Sequence, residues 1–196
     1  MSKELRGAVP LSHFFLRERV GPGDAVVDAT CGNGRDTLLL AELVGPAGRV
    51  WSFDIQEEAL RKTAALLEEK GVRDRVELVA AGHERLAEFV GEPLRTVVFN
   101  LGYLPGGDRG MATQPATTRP ALDAALGLLL PGGLLLVAVY TGHPGAVEEE
   151  DAVLAWACGL DPRRFNVWVS RQLNRPPTAP YLVLVEKGGR GEKEDG

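Results

Sequence analysis

The sequence predicts an α/β fold with three layers, in which helices cover both faces of one seven-stranded, mostly parallel sheet. Apolar, β-branched runs alternate with stretches of helical periodicity along most of the 196 residues, which is the pattern of βα units. The last two β runs are separated by too few residues for a crossover helix, so they must form an antiparallel hairpin. These two observations define the predicted architecture.

Three helices and three strands are predicted in the first half of the chain. Apolar residues recur at helical spacing in three stretches that glycine or proline terminates, namely residues 11–20, 36–44 and 57–70. The short apolar runs between and after them, rich in β-branched residues, are typical of buried strands. These predicted strands are residues 24–29, 49–54 and 75–80.

The middle of the chain contains a fourth strand and a long loop. Residues 94–100 are apolar at nearly every position, as expected of a strand buried on both faces. Residues 101–115 are rich in glycine and proline and are too long for a simple connector, so this loop is a functional candidate. The remaining helices are predicted at residues 84–89, 118–130 and 148–158, with a turn at 131–133 and a fifth strand at 134–140.

The C-terminal region contains the hairpin. Its two strands are residues 165–173 and 181–186. Because neither a repeat nor a linker interrupts the pattern, residues 1–187 are predicted to form a single domain. Residues 188–196 are charged and glycine-rich, and we expect them to form a disordered tail.

The composition limits the class of protein. Hydrophobic residues make up 44% of the chain and charged residues 25%, both ordinary values for a globular protein. No apolar run approaches the roughly 18 residues of a membrane span, and the N-terminus lacks the apolar segment of a signal peptide. We therefore expect no membrane partner and a cytoplasmic location.

The net charge of −5 argues against coating nucleic acid by bulk attraction, but not against contact with one RNA loop. Cys31 and Cys158 lack metal-ligand spacing, which predicts free thiols and no metal site.

The segment around Gly32 and Gly34 predicts a site for a nucleotide-like cofactor. A short β-branched run ends at Asp28, passes through this glycine turn and opens into a helix. Glycine permits positive φ and close approach of a ligand, and a helix N-terminus offers unpaired N–H groups. Thr37 stands where the dinucleotide fingerprint has its third glycine. Nicotinamide or flavin binders and S-adenosylmethionine binders both use such a loop, so the loop alone leaves both classes open.

Asp54 supports the same site. It ends the second predicted strand, where a carboxylate can accept hydrogen bonds from both ribose hydroxyls of either cofactor class. Ile55 and Gln56 follow, and we expect them to line the adenine side. His83, after the third strand, is either an adenine contact or the cap of the short helix. Three polar residues at the start of the helix after the glycine loop are equally consistent with N-capping and with cofactor contact, namely Asn33, Asp36 and Thr37.

A second motif follows the fourth strand, opposite the predicted cofactor crevice. Its residues Asn100-Leu101-Gly102-Tyr103 look like a variant of the Asn/Asp-Pro-Pro-Tyr motif of enzymes that methylate amino nitrogens. In that motif the side-chain oxygen and a following carbonyl accept hydrogen bonds from the target amine, and the aromatic ring stacks on the target group. The alternative is a β-turn with a packed tyrosine. His143, after the fifth strand, is either a proton acceptor or a hydrogen-bonded loop residue. For His13, on the first helix, we expect packing only.

Taken in order, these segments resemble the YtqB-like (MnmM-type) family of rRNA-methylase-type enzymes, which are class I S-adenosylmethionine-dependent methyltransferases. The matching segments are 28–37, 53–56, 82–84, 100–108, 117–118, 140–143 and 186–187. The resemblance implies a Rossmann-like sheet with strand order 3-2-1-4-5-7-6, S-adenosyl-L-methionine as cofactor and S-adenosyl-L-homocysteine as product. In such enzymes an acid at the position of Asp28 meets the methionine amino group, often through the loop backbone or water. The cofactor-binding candidates are then Asp28, Thr30, Gly32, Asn33, Gly34, Asp36, Thr37, Asp54, Ile55, Gln56, His83 and Asn100.

The resemblance also implies a substrate. Members of the family are associated with methylation of 5-aminomethyl-2-thiouridine at the tRNA wobble position, so we expect N-methylation in the anticodon loop of tRNA by a homodimer. The catalytic candidates are Asn100, Tyr103 and His143, with Tyr103 as a stacking platform for a splayed base. Positively charged candidates for phosphate contact, by position alone, are Arg109, Arg119 and Arg175. The alternatives are an rRNA or small-molecule methyltransferase of the same fold, a nicotinamide-dependent oxidoreductase, and a catalytically silent cofactor-binding subunit.

Overall fold

A seven-stranded sheet organises the chain in the computed structural model, which describes residues 5–103, 106, 111–142 and 144–189. The strands are β1 (Ala25–Asp28), β2 (Arg49–Asp54), β3 (Val76–Ala80), β4 (Leu94–Leu101), β5 (Leu129–Val139), β6 (Phe165–Ser170) and β7 (Tyr181–Lys187). Their order across the sheet is β3-β2-β1-β4-β5-β7-β6. The first five are parallel, and β7 pairs antiparallel with both β5 and β6. The predicted α/β fold, its strand order and its C-terminal hairpin are confirmed.

Helices cover both faces of this sheet. They are α1 (Ala8–Arg19), α2 (Arg35–Val44), α3 (Glu57–Glu69), α4 (Leu86–Phe89), α5 (Pro115–Leu128) and α6 (Ala146–Cys158). Because side chains alternate across a strand, Val26 and Val98 pack in the core beneath α1, α2 and α3, whereas Val27 and Val97 pack beneath α4, α5 and α6. Within the described residues, no helix is both long and apolar enough to cross a membrane.

The register of the parallel strands brings the predicted site residues to one edge of the sheet. Asp28, at the end of β1, is level with Ser52 of β2 and Val98 of β4. Two residues further along, β2 ends at Asp54 and β4 reaches Asn100. The chain continues from β1 to β2 on one side, while β4 lies on the other side of β1. A crevice therefore opens at the carboxyl ends of β1 and β4, where open α/β sheets bind their ligands.

Helix α5 and strand β5 differ most from the predicted boundaries. Helix α5 begins at Pro115 rather than at residue 118, because proline fits the first turn of a helix, where its missing N–H has no partner to lose. Strand β5 begins at Leu129 and includes residues 131–133, for which the sequence predicts a separate turn. Leu129 pairs with Leu94 and Leu134 with Thr96, so four residues of β5 face a single residue of β4. The Pro-Gly-Gly segment is therefore a bulge inside the strand.

The bulge can be tested with two alanine substitutions. A Cβ on Gly133 would lie 2.8 Å from the carbonyl oxygen of Leu130 and 3.0 Å from that of Arg95. Backbone oxygens cannot swing away, so we expect Gly133→Ala to lower the free energy of unfolding by about 1–3 kcal/mol. The control is Gly127 in α5, where an added Cβ has nothing within 4 Å. There we expect an unchanged or higher free energy of unfolding, by up to about 1 kcal/mol. Urea unfolding followed by circular dichroism measures both, and equal stability of the two variants would contradict the bulge.

Candidate active site

The loop between β1 and α2 depends on two glycines. Gly32 has φ +54° and Gly34 has φ +73°, in the left-handed region that other residues rarely adopt. The N–H of Gly34 donates to the carbonyl of Cys31 at 2.9 Å and closes the turn. A Cβ on Gly34 would lie 2.6 Å from Oγ1 of Thr63, which belongs to α3. Residue 34 must therefore be glycine for its backbone conformation and for space.

The thiol of Cys31 lies beneath this loop. It is buried and donates a hydrogen bond to Oγ1 of Thr63 at 3.1 Å. Burial raises the pKa of Cys31 to about 11, so the thiol is protonated at neutral pH. The hydroxyl of Thr63 is 3.4 Å from the carbonyl oxygen of Gly32, to which it donates. The glycine loop therefore rests on α3 through polar contacts.

Asp54 joins the end of β2 to the glycine loop. One carboxylate oxygen accepts the N–H of Gly32 at 2.9 Å, and the other accepts the N–H of Gln56 at 2.9 Å. Each carboxylate oxygen can accept a further hydrogen bond, so the side chain retains acceptor capacity for ribose hydroxyls. Ile55 follows and is 61% exposed, which provides an apolar surface beside the carboxylate. This arrangement of acceptor and apolar surface fits the adenosine part of a nucleotide-like ligand.

Asp28 supports the loop through buried hydrogen bonds and is not itself exposed to the crevice. It is fully buried, and its oxygens accept the hydroxyl of Thr37 at 2.6 Å and the N–H of Thr30 at 3.2 Å. The hydroxyl of Thr37 also shares a hydrogen bond of 2.7 Å with that of Ser52. Burial, and to a lesser degree the negative charge of Asp36, raises the pKa of Asp28 to about 7. Any influence of Asp28 on a ligand must therefore pass through the loop backbone or through its charge.

Asn100 links the end of β4 to the same loop. Its backbone N–H donates to Oγ1 of Thr30 at 2.7 Å, and its side-chain Nδ2 donates to Oδ2 of Asp36 at 2.7 Å. The carbonyl of Leu101, the second acceptor expected for a target amine, already accepts the N–H of Tyr140 at 3.2 Å. A carbonyl oxygen can accept a second hydrogen bond, so the Leu101 carbonyl and the side-chain oxygen of Asn100 both retain acceptor capacity. Tyr103 lies three residues further on and is half-buried.

His13 belongs to this site, contrary to the expectation of packing only. Its Nε2 is 2.5 Å from Oδ1 of Asp36, so α1 contributes a polar group to the crevice. The sequence offered a weak signal, because His13 lies next to Ser12 on a helix whose buried residues are Ala8, Ser12 and Leu16. A histidine beside the buried face of a helix can point either towards the sheet or along its edge. The sequence does not distinguish these two directions, because they depend on the tertiary contacts of the side chain.

His83 is placed behind the loop. Its imidazole is buried and packs edge-to-face on Phe99 with ring centroids 5.6 Å apart. Burial lowers the pKa of His83, so the ring is neutral at physiological pH. Its Nε2 has no hydrogen-bond partner among the described residues. Contact between His83 and adenine stays a prediction.

A buried acid anchors the far end of the loop after β4. Glu149 of α6 is 1% exposed and accepts the hydroxyls of Thr113 and Thr118, each at 2.6 Å. The N–H of Thr113 also donates to the carbonyl of Gly102 at 2.9 Å. Nothing in the sequence indicates this anchor, because a glutamate in the first turn of a helix is ordinarily solvated.

The structure brings most of the predicted residues together. Hydrogen bonds join five of them into one group, namely Asp28, Thr30, Asp36, Thr37 and Asn100. On the same loop, Gly32 bonds to Asp54 and Gly34 closes the turn on Cys31. Asn33 is exposed on the same loop, and Gln56 is half-buried beside Asp54. His143, Arg109 and residues 190–196 of the predicted tail lie outside the described residues. Arg119 pairs with Asp123 at 3.1 Å on α5, and Arg175 is exposed between β6 and β7.

The buried carboxyl of Asp28 gives a pH-dependent stability. An unfolded aspartate has a pKa of about 3.9, so the folded chain holds this proton more tightly than the unfolded chain. Its stabilising contribution is complete below about pH 4 and is lost as pH rises to about 7, by at most about 1.4 kcal/mol per pH unit. Asp28→Asn keeps the shape and cannot titrate. We expect the variant to gain stability relative to the parent chain as pH rises from about 5 to about 8, measured by urea unfolding. A stability difference that does not change with pH would refute the raised pKa.

Comparisons with known proteins agree with this geometry. The model of the family described as "Putative rRNA methylase" matches residues 50–186. The chain is 40% identical over 190 residues to "tRNA (mnm(5)s(2)U34)-methyltransferase, chloroplastic" of Arabidopsis thaliana, covering 92% of this chain and 69% of that protein.

Two solved structures are similar over almost their whole length. One, described as a "putative rRNA-methylase" from Clostridium thermocellum, has a TM-score of 0.91 and 41% identity over 94% of this chain and 99% of that one. The other is SMU.1697c of Streptococcus mutans, a "putative methyltransferase" in complex with SAH, with a TM-score of 0.85, 39% identity and the same coverage. The chain therefore belongs to the family described as "Putative rRNA methylase" and is an S-adenosylmethionine-dependent methyltransferase with the class I fold.

Proposed function

We propose that this methyltransferase transfers a methyl group to the amino nitrogen of 5-aminomethyl-2-thiouridine at the wobble position of tRNA. The observation that carries this proposal is the placement of Asn100 at the end of β4, where its backbone N–H donates to Thr30 and its side-chain Nδ2 donates to Asp36. These two bonds leave the side-chain oxygen to accept a hydrogen bond from the amine. The name of the Arabidopsis relative supports the same substrate, since it specifies a methyltransferase for mnm(5)s(2)U34 of tRNA.

The residues of the crevice fit S-adenosylmethionine. The positive-φ glycines allow its methionine part to approach the loop backbone, and Asp54 offers acceptors for the ribose hydroxyls. Ile55 provides an apolar surface on the adenine side. When bound, this molecule supplies an electrophilic methyl carbon on a positively charged sulfur. We propose that these residues hold it, with Asp28 fixing the loop from beneath.

The task of the chain is to position a neutral amine. Methyl transfer is an in-line displacement at carbon, so orientation supplies much of the rate. An alkylamine is mostly protonated at neutral pH, and its nitrogen must lose one proton before its lone pair can attack. The side-chain oxygen of Asn100 accepts an N–H of the amine and leaves the lone pair directed away from it. Tyr103 serves as a stacking surface for the base, and His143 is our candidate acceptor for the proton.

We further propose a cytoplasmic homodimer whose surface completes the tRNA site. The edge strand β6 supports association, because Trp168 and Val169 are about half exposed there and Leu173 beyond it is fully exposed. Arg109, Arg119 and Arg175 are proposed phosphate contacts. Light scattering in solution tests the homodimer.

An rRNA methyltransferase is the second candidate, because the description of the matching family names rRNA. Transfer of labelled methyl to purified tRNA and to rRNA, followed by nucleoside mass spectrometry, separates the two. We expect the label in the 5-methylaminomethyl-2-thiouridine of tRNA. Label in rRNA alone would refute the proposed substrate.

Two substitutions separate cofactor binding from transfer. We expect Asp54→Ala to weaken binding of S-adenosylhomocysteine beyond detection by calorimetry, because the acceptors for ribose and the bond to the Gly32 N–H are lost together. Asn100→Ala should bind it normally while methyl transfer to tRNA falls roughly 100-fold or more, the usual effect of losing one positioned polar group. Full transfer activity in Asn100→Ala would show that Asn100 does not position the amine.

A further inference from the structure

Three residues from three separate elements form a continuous hydrogen-bonded chain in the crevice. Asp36, in the first turn of α2, is 7% exposed, and its two carboxylate oxygens are used separately. Oδ1 is 2.5 Å from Nε2 of His13 on α1, and Oδ2 accepts Nδ2 of Asn100 on β4 at 2.7 Å.

The chemistry of a carboxylate fixes the orientation of Asn100. A carboxylate only accepts hydrogen bonds, so the amide must turn its NH2 group towards Asp36. Because the amide is planar, its oxygen then points away from Asp36. Without Asp36, the amide could flip and exchange its oxygen with its NH2 group, because the two groups have nearly the same shape. Only the oxygen can accept a hydrogen bond from an amine.

A purely structural role for Asp36 explains less. An acid in the first turn of a helix is stabilising, but this effect requires neither His13 nor Asn100. The charge of Asp36 also carries a cost, since it helps to raise the pKa of the buried Asp28. A second buried acid beside Asp28 is therefore unfavourable unless its specific contacts are required.

We propose that His13 and Asp36 are positioning residues that hold the Asn100 amide with its oxygen towards the target amine. Nε2 of His13 donates to Oδ1 of Asp36 and prevents the carboxylate from rotating away from Asn100. This role rests on the proposed function of Asn100 as the acceptor for the amine. It assigns to the first helix a part in the reaction.

A side-chain exchange between positions 36 and 100 tests this role. In Asp36→Asn the new amide can present its NH2 group to Asn100, which then turns its own NH2 group towards the amine. We expect transfer to fall roughly 100-fold in kcat, with the affinity for S-adenosylhomocysteine changed by less than about threefold. Asn100→Asp alone places two carboxylates against each other and should be similarly inactive.

The double variant Asp36→Asn with Asn100→Asp restores the pattern of donors and acceptors. Residue 36 then donates to residue 100 and accepts from His13, while the second oxygen of residue 100 faces the amine. We expect kcat to recover to within about tenfold of the parent enzyme. A folded double variant that binds S-adenosylhomocysteine and is no more active than Asp36→Asn would overturn the proposal.

Substitutions of His13 distinguish a hydrogen-bond donor from a proton acceptor. We expect His13→Gln, which retains a donor, to lose less kcat than His13→Leu, and the dependence of kcat on pH to be the same in His13→Gln and the parent enzyme. Glu18→Ala, on the exposed face of α1, is the matched control and should leave kcat unchanged. Equal losses in the glutamine and leucine variants would rule out the donor role.

A measurement without RNA keeps this proposal separate from the proposed function. The side-chain NH2 signals of Asn100 can be assigned in a 15N NMR spectrum by their loss in Asn100→Asp. We expect them to shift in Asp36→Asn and in His13→Leu, but not in Glu18→Ala. If the parent enzyme methylates no tRNA while these shifts occur, the proposed function fails and the hydrogen-bonded chain stands. If the signals of Asn100 are insensitive to residue 36, the chain itself is wrong.

Discussion

The pairing of β1 between β2 and β4 is the constraint on which the site depends. Parallel register fixes Asp28 level with Ser52 and Val98, so the strand ends that follow must converge at one edge. Asp54 and Asn100 reach the glycine loop from opposite sides and both bond to it. A slip of one residue in either strand would turn these side chains to the opposite face of the sheet. The register of the sheet, rather than the conformation of any loop, therefore determines where the crevice lies.

Much of this arrangement was predictable because its signals are local. The glycine loop, Asp54 and Asn100 each follow a recognisable strand directly, and an α/β fold places the ends of such strands at one edge. The strand order was predicted from the family resemblance alone. These predictions required no knowledge of how distant helices pack.

Two features that the sequence did not reveal depend on tertiary contact. His13 meets Asp36 across 23 positions, and Glu149 meets Thr118 across 31. Neither pair has a spacing that a helix or strand would produce. The bulge of β5 was hidden for a different reason, because Pro-Gly-Gly reads as a turn whether it ends a strand or lies within one. The roles proposed for His143 and Arg109 stay predictions.

The inertness of Cys31 has a practical consequence. The glycine loop contains a sulfur atom, yet the thiol is buried, protonated and bonded to Thr63. The chain has two cysteines, and the other, Cys158, is exposed at the C-terminal end of α6. A maleimide dye at neutral pH would therefore react at one known position and leave the cofactor loop intact. The unaltered chain can carry a single fluorescent label for binding measurements without an engineered cysteine.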